Sequence, residues 1–330
     1  MMRLPKFEYC EPKTLKEATK VLASGQGKSV LLAGGTDLLV NMRHRLNQPE
    51  QIINLKSIPR LAYITDTKEG LKVGPLTTLQ DIMSSRIVME KYPALCQAAL
   101  EVGAYALQAM GTIAGNLCQG NRCKFYNQSA FWRSVRPPCY KAGGEICYVV
   151  RKGGQCHSAY CGDLAPVLIA LDSKIKITGP DEERSIPLKR LYTGNGKRPL
   201  SLKRGEILKE IVIPASPGPP SSGKMLYLKW RARDAIEFPM ISLAFYLERD
   251  DGKRIRNAKI VFSAVGSGPV KASETEKLLQ GGYLDDASIE RGSTEVIREL
   301  SPMRTSTASP AYRRKIAGTL LRRGLEEMKR

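Results

Sequence analysis

The sequence predicts an α+β protein in two parts, with strands and helices mixed in the first part and an antiparallel sheet followed by helices in the second. Three observations support this prediction. Glycine-rich turns follow apolar runs in the first 120 residues, a Pro- and Gly-rich stretch at 215–223 separates the parts, and three strand-like runs then precede three helical patterns. At 330 residues the chain is long enough for two or three domains with their own cores.

Local signals predict each element of the first part. Thr14, followed three residues later by Glu17, is typical of a capped helix and places one at 14–22. Apolar runs bounded by turn residues predict the remaining elements. These are strands at 29–33, 51–55, 174–178 and 207–213, a hairpin over 61–73, and helices at 78–84, 93–102 and 163–171.

The second part begins after the predicted linker. An Asp-Asp-Gly turn at 250–252 joins two of its strands, and Ile316, Leu320 and Leu321 share one face of its last helix. The predicted elements are strands at 225–230, 241–248 and 258–265 and helices at 270–280, 285–300 and 310–328.

Composition limits the function classes. No apolar run approaches the roughly 18 residues of a membrane span, and the N-terminus does not resemble a secretory signal, so we expect a cytoplasmic protein without membrane contact. The net charge of +20 permits nucleic acid or an acidic protein partner, but helix-turn-helix, RNP and zinc-finger patterns are missing. The eight cysteines of a cytosolic chain favour metal or redox chemistry over disulfides.

Two glycine-rich loops are candidates for phosphate binding. The first reads AGGTD at 33–37, where Gly34 and Gly35 leave no Cβ in the way of a pyrophosphate and Thr36 offers a hydroxyl. The second reads TIAGN at 112–116, where Gly115 and Asn116 are predicted to form another anion nest. The spacing misses the G-x-G-x-x-G pattern, which disfavours a nicotinamide-binding fold.

A segment at 117–160 has no hydrophobic periodicity and is rich in cysteine. A metal cluster explains such a stretch, because it replaces a hydrophobic core as the organising contact. Zinc is an alternative, although the usual C-x2–4-C pair is missing. Cys118, Cys161 and His157 are rival ligands at or near its edges. The predicted ligands are Cys123, Cys139, Cys147 and Cys156.

The chain resembles the FAD-binding subunits of the molybdenum hydroxylases, which include xanthine dehydrogenase and the medium subunit of carbon monoxide dehydrogenase. The resemblance is carried by the two loops, by GDLAP at 162–166 and by Lys229 in YLKW, and Ala114 replaces the first glycine of the usual TIGGN. It implies a vanillyl-alcohol-oxidase-type (PCMH-type) FAD-binding domain of two subdomains at 1–217. A C-terminal domain like that of the carbon monoxide dehydrogenase flavoprotein is implied at 222–330.

The resemblance also implies site residues. The two loops would hold the FAD phosphates, Val102 and Leu208 would contact the flavin, and Asp163 and Lys229 would approach the ring or its ribityl chain. From the residues alone, Lys229 reads as a solvated strand lysine and Asp163 as a helix cap. The loop residues are Leu31, Leu32, Ala33, Gly34, Gly35, Thr36, Asp37, Leu38, Thr112, Ile113, Ala114, Gly115 and Asn116.

The cysteine-rich insertion is similar to that of the 4-hydroxybenzoyl-CoA reductases of this family, which implies one [4Fe-4S] cluster beside FAD. The implied partners are a large molybdopterin subunit and a small subunit with two [2Fe-2S] clusters, in a dimer of heterotrimers that reduced ferredoxin supplies with electrons. No catalytic residue is then expected on this chain. Arg133, Arg136 and Lys141 are a candidate docking surface for the acidic ferredoxin.

Two other functions stay open at this point. The chain is alternatively the FAD subunit of a xanthine, aldehyde or other aryl-CoA oxidoreductase, since the substrate is bound by the large subunit. A third hypothesis, from another class, is a basic nucleic-acid-binding protein with a zinc-stabilised loop.

Overall fold

The structure is a computed structural model that describes residues 3–150, 153–215, 223–304 and 308–329. The predicted linker at 215–223 lies, apart from its two end residues, outside this range. Among the described residues, none of the helices has the length and hydrophobicity that a membrane span requires.

The first subdomain is a three-stranded parallel sheet with helices. Thr14 caps its first helix by accepting a hydrogen bond from the Glu17 amide at 3.1 Å. A small core that includes Ala18 and Ile53 lies between helix and sheet. The sheet order is β1-β3-β2, and the elements are β1 (Glu8–Cys10), α1 (Leu15–Ser24), β2 (Ser29–Leu32), α2 (Leu38–Arg43) and β3 (Gln51–Asn54).

The second subdomain is a five-stranded antiparallel sheet, in the order β4-β5-β8-β6-β7, covered by short helices. Thr78 and Asp81 form a reciprocal capping box, and Pro93 starts another helix, as Pro favours. Its elements are β4 (Ile64–Thr67), β5 (Gly70–Val73), α3 (Leu79–Ser84), α4 (Arg86–Lys91), α5 (Pro93–Leu100), α6 (Tyr105–Met110), α7 (Ile113–Leu117), α8 (Ala130–Ser134), α9 (Leu164–Ala170), β6 (Lys174–Thr178), β7 (Glu183–Pro187) and β8 (Ile207–Pro214).

The C-terminal part is a four-stranded antiparallel sheet in the order β12-β11-β10-β9, followed by three helices. Asp285 caps the middle helix in a capping box with Ser288. The elements are β9 (Gly223–Trp230), β10 (Ile241–Arg249), β11 (Ile255–Ser263), β12 (Val270–Lys271), α10 (Ser273–Leu279), α11 (Asp286–Glu299) and α12 (Pro310–Lys329).

The C-terminal sheet is buried on both faces, which brings the two parts of the chain together. Side chains alternate along β10, so Leu243 and Phe245 enter the C-terminal core while Ala244 enters the core of the second subdomain. Helix α12 packs on β9 and β10, and α5 and α9 pack on strands of the same sheet. The face of β9 that packs on the second subdomain therefore lies at the boundary between the two parts. Asp163 and Lys229, two of the predicted flavin residues, meet there.

Candidate functional site

The first glycine loop approaches the second closely. Gly35 has φ +76°, and a Cβ on Gly34 would lie 2.0 Å from the carbonyl oxygen of Met110, just before the second loop. In the described part of the chain, the amides of Gly35, Thr36 and Asp37 have no protein acceptor. Free amides on a glycine turn fit an anionic group such as a phosphate.

The second loop is a capped helical turn and not a nest. The Thr112 hydroxyl accepts from the Gly115 amide at 3.1 Å, and the Asn116 amide donates to the Thr112 carbonyl at 2.9 Å. The prediction of a backbone nest at Gly115 and Asn116 is therefore wrong, because α7 already uses these amides. Ile113 is buried, and the Asn116 side chain accepts from the Leu164 amide at 3.2 Å, which ties this loop to α9.

Asp163, Tyr227 and Lys229 form a buried polar cluster between the two parts of the chain. The Lys229 ammonium lies 3.1 Å from the Asp163 carboxylate, and the Tyr227 hydroxyl donates to the same oxygen at 2.5 Å. Lys229 also donates to the Glu101 carbonyl at 2.7 Å, and its side chain is fully buried. The solvated-lysine interpretation of Lys229 is therefore wrong.

The two predicted flavin contacts belong to the same hydrophobic core of the second subdomain, Val102 at its edge and Leu208 inside it. Val102 follows Glu101, whose carbonyl accepts the hydrogen bond from Lys229. Leu208 is buried in β8, opposite Ile177 of β6, within the core of the second subdomain.

Burial raises the pKa of the Asp163 carboxyl to about 6, although Lys229 and the Tyr227 hydrogen bond oppose this shift. Because the folded-state pKa exceeds the unfolded value, the folded chain binds more protons, and the free energy of unfolding falls as pH rises from about 4 to 6. In the wild-type chain the free energy of unfolding should fall by about 3 kcal/mol across this range, and in Asp163→Asn this pH-dependent fall should be absent. Urea unfolding of both proteins measures the difference, and a difference that does not change with pH would contradict the prediction.

The insertion is anchored to the first loop by Arg122. Arg122 and Ala159 exchange two backbone hydrogen bonds of 2.7 and 2.8 Å, which close the insertion at its base. The Arg122 guanidinium pairs with the Asp37 carboxylate and lies 4.4 Å from the centre of the Phe238 ring. The insertion therefore contacts the first glycine loop and the C-terminal part at once.

The insertion folds around a small pocket of about 10 Å³. Backbone hydrogen bonds shape its turns: the Tyr126 and Asn127 amides donate to the Cys123 carbonyl, and the Ala142 and Gly144 amides donate to the Cys139 carbonyl. Burial raises the pKa of the Cys123 thiol, while the backbone N–H groups of Phe125 and Tyr126 lower it. The predicted ligands that line this one pocket are Cys123, Cys139, Cys147 and Cys156.

The rival ligands occupy different positions. Cys118 and Cys161 are not among the residues that line the pocket, and the Cys161 thiol faces the Ala159 carbonyl at 3.7 Å. Burial raises the pKa of the Cys118 thiol to about 12 and that of Cys161 to about 11. His157 does line the pocket, beside Cys156.

The three cations of the predicted docking surface all contact other groups of the protein, and docking itself stays a prediction. Arg133 donates to the carbonyls of His44 and Arg45 at 3.2 and 3.0 Å. Lys141 points into the insertion. The Arg136 guanidinium lies over three rings, at 4.2 to 5.5 Å from the centres of Trp132, Phe125 and Tyr148.

Sequence reasoning missed the Arg122–Asp37 pair and the role of Tyr227. The pair joins residues 85 apart, and no local pattern indicates it. For Tyr227 a signal was present, because it precedes Lys229 by two residues and therefore shares its face of a strand.

Comparisons with known proteins agree with this architecture. A family model described as "FAD binding domain in molybdopterin dehydrogenase" matches residues 5–216, and one for the CO dehydrogenase flavoprotein C-terminal domain matches 227–328. The putative xanthine dehydrogenase FAD-binding subunit of Escherichia coli strain K12 is 25% identical over 97% of this chain and 94% of its own length. The carbon monoxide dehydrogenase medium chain of Afipia carboxidovorans is 24% identical over 98% of this chain and 96% of its own.

A solved structure shows the same fold. The crystal structure of cyanide-inactivated Cu,Mo-CO dehydrogenase contains a chain that superposes with a TM-score of 0.80 at 24% sequence identity. The superposition covers 98% of both chains.

Proposed function

This chain belongs to the FAD-binding subunits of the molybdenum hydroxylases, the family of xanthine and carbon monoxide dehydrogenases, and we propose that it transfers electrons between two redox groups of its own and a molybdenum-containing partner. The free amides of the first glycine loop and the buried Asp163–Lys229 pair support FAD as one group. FAD supplies reversible electron storage when bound. This chain supplies the binding and the charges around it.

A [4Fe-4S] cluster is proposed as the second group, and the pocket lined by four cysteines is the observation that carries it. Four thiols are the ligand number such a cluster takes. Among the described residues, no three His, Cys, Asp or Glu side chains lie close enough to hold a single metal ion. The proposal therefore rests on the shared pocket, and ligation would draw the surrounding turns together.

The partners are proposed by analogy with the relatives. One of them is named as the medium chain of carbon monoxide dehydrogenase, which indicates a complex with larger and smaller chains. We propose the same arrangement here, with a large molybdopterin subunit and a small [2Fe-2S] subunit in a dimer of heterotrimers.

The substrate of the complex is a separate proposal. The four-cysteine insertion favours reductive dehydroxylation of 4-hydroxybenzoyl-CoA, with reduced ferredoxin as the donor and electrons moving inward to the molybdenum subunit. The relatives, which also include the glyceraldehyde dehydrogenase medium chain of Sulfolobus acidocaldarius, support the alternative, a xanthine, aldehyde or carbon monoxide dehydrogenase type. If the purified complex reduces 4-hydroxybenzoyl-CoA with reduced ferredoxin, the reductase proposal is supported. If it turns over xanthine or an aldehyde but not 4-hydroxybenzoyl-CoA, the dehydrogenase alternative replaces the reductase proposal.

The cofactor proposal is tested by an anaerobic absorption and EPR spectrum of the purified chain, with flavin, iron and sulfide assays. One FAD and about four irons per chain are expected. FAD without iron, from anaerobically prepared protein, would overturn the cluster. Zinc without flavin would instead favour the nucleic-acid-binding alternative.

Gly34→Ala is expected to weaken FAD binding at least tenfold, about 1.4 kcal/mol. The added Cβ would lie 2.0 Å from the Met110 carbonyl oxygen, so the two loops must separate. Flavin titration of the deflavinated chain measures the effect. Gly154→Ala is the matched control, since nothing lies within 4 Å of its added Cβ. Equal FAD affinity in both variants would contradict the role of the loop contact.

A further inference from the structure

One lysine ammonium lies in the wall of the cysteine pocket. The Nζ atom of Lys141 donates to the Asn121 carbonyl at 2.9 Å and to the Ser158 hydroxyl at 3.4 Å. It also lies 5.2 Å from the centre of the Tyr126 ring. The side chain lines the same pocket as Cys123, Cys139, Cys147 and Cys156.

The contacts of Lys141 do not neutralise its charge. Both hydrogen-bond acceptors are neutral oxygens, and no carboxylate within the described ranges forms an ion pair with it. The nearby carboxylate of Asp37 is already held by Arg122 and by the Asn41 amide. A half-buried cation in this position is stabilised by an anion, and the pocket's four thiols become anionic when they ligate iron.

Three other cations of the insertion are engaged elsewhere. Arg122 is paired with Asp37, and the charge of Arg136 lies over aromatic rings. Arg133 donates to backbone carbonyls of residues 44 and 45, away from the cysteines. Among these side chains, Lys141 is the cation that lines the pocket.

We propose that the Lys141 ammonium is a positioning charge that raises the reduction potential of the bound cluster, an inference that rests on the proposed [4Fe-4S] site. A cluster ligated by four thiolates is anionic, and reduction adds one more negative charge. A fixed cation beside it attracts the reduced form more strongly than the oxidised form, so reduction becomes more favourable. Lys141 would thereby make the cluster easier to load with electrons from a donor.

The test is an EPR-monitored potentiometric titration of the anaerobically purified chain with its FAD and iron. In Lys141→Met, at one fixed ambient potential, the ratio of reduced to oxidised cluster is expected to fall at least tenfold, about 59 mV for one electron. Lys141→Arg keeps the charge and is expected to stay within about twofold of wild type. Lys189→Met removes an exposed lysine of the same domain and serves as the control.

The outcomes separate this inference from the cluster proposal. Wild-type chain without iron overturns both. Wild-type chain with iron, and an unchanged ratio in Lys141→Met, overturns the inference alone. If Lys141→Met keeps FAD but loses iron while Lys141→Arg keeps both, the charge holds the cluster in place instead of tuning its potential, and the inference is overturned; loss of iron from both variants assigns Lys141 a packing role and also overturns it.

Discussion

Replacing Cys139 with alanine is expected to lower the iron content from about four atoms per chain to less than one, while FAD stays bound. The substitution removes one of the four proposed ligands that line the pocket. The first glycine loop is tied to the insertion through Arg122 at its base, not through Cys139. Iron and flavin assays on anaerobically prepared protein measure both contents in the same sample.

Cys161→Ala is the matched control for this experiment. The Cys161 thiol is buried and faces the Ala159 carbonyl. Burial raises its pKa to about 11, so the thiol stays protonated at neutral pH. We expect this variant to keep its iron. Full iron in Cys139→Ala would contradict the pocket as the cluster site, and loss of iron in Cys161→Ala would show that the ligand set is different.

Elements with strong local signals were predictable from the sequence. The Thr14 cap and the strand 174–178 lie where the patterns place them. The predicted fold class is also confirmed by the two family models and the solved structure. Runs of alternating or apolar residues made the sheets of both parts predictable. Strands β1 and β7 and the helices α4 and α6 were missed, since no comparable cap or turn signal marks them and their formation depends on tertiary contacts.

The candidate site was less predictable than the fold. Asp163 and Lys229 carry no local sign of burial, and they meet only because α9 packs against the C-terminal sheet. The basic insertion was interpreted as a docking surface from its charge alone. The docking interpretation stays a prediction. The structure adds that Arg136 stacks on Trp132 and Tyr148, a contact that the interleaved rings and arginines of this segment indicate.

Lys229→Met is expected to lower the free energy of unfolding by about 3 to 5 kcal/mol. The lysine side chain is fully buried, and its ammonium is the counter-charge of a carboxylate that is itself almost completely buried. Removing the cation leaves Asp163 with the Tyr227 hydroxyl as its remaining side-chain donor in the described structure. An uncompensated buried charge is far more costly than the net stabilisation that an intact pair provides.

A double-mutant cycle tests whether this loss comes from the stranded charge. Asp163→Asn combined with Lys229→Met should recover most of the stability in urea unfolding, because the amide carries no charge to compensate. Lys209→Met removes a lysine from an ion pair with Glu183 at the surface and should change stability by less than about 1 kcal/mol. If the double variant is as unstable as Lys229→Met alone, lost packing of the lysine stem and not charge explains the loss. The buried pair would then be a structural contact at the domain boundary, and the support for FAD would rest on the glycine loop alone.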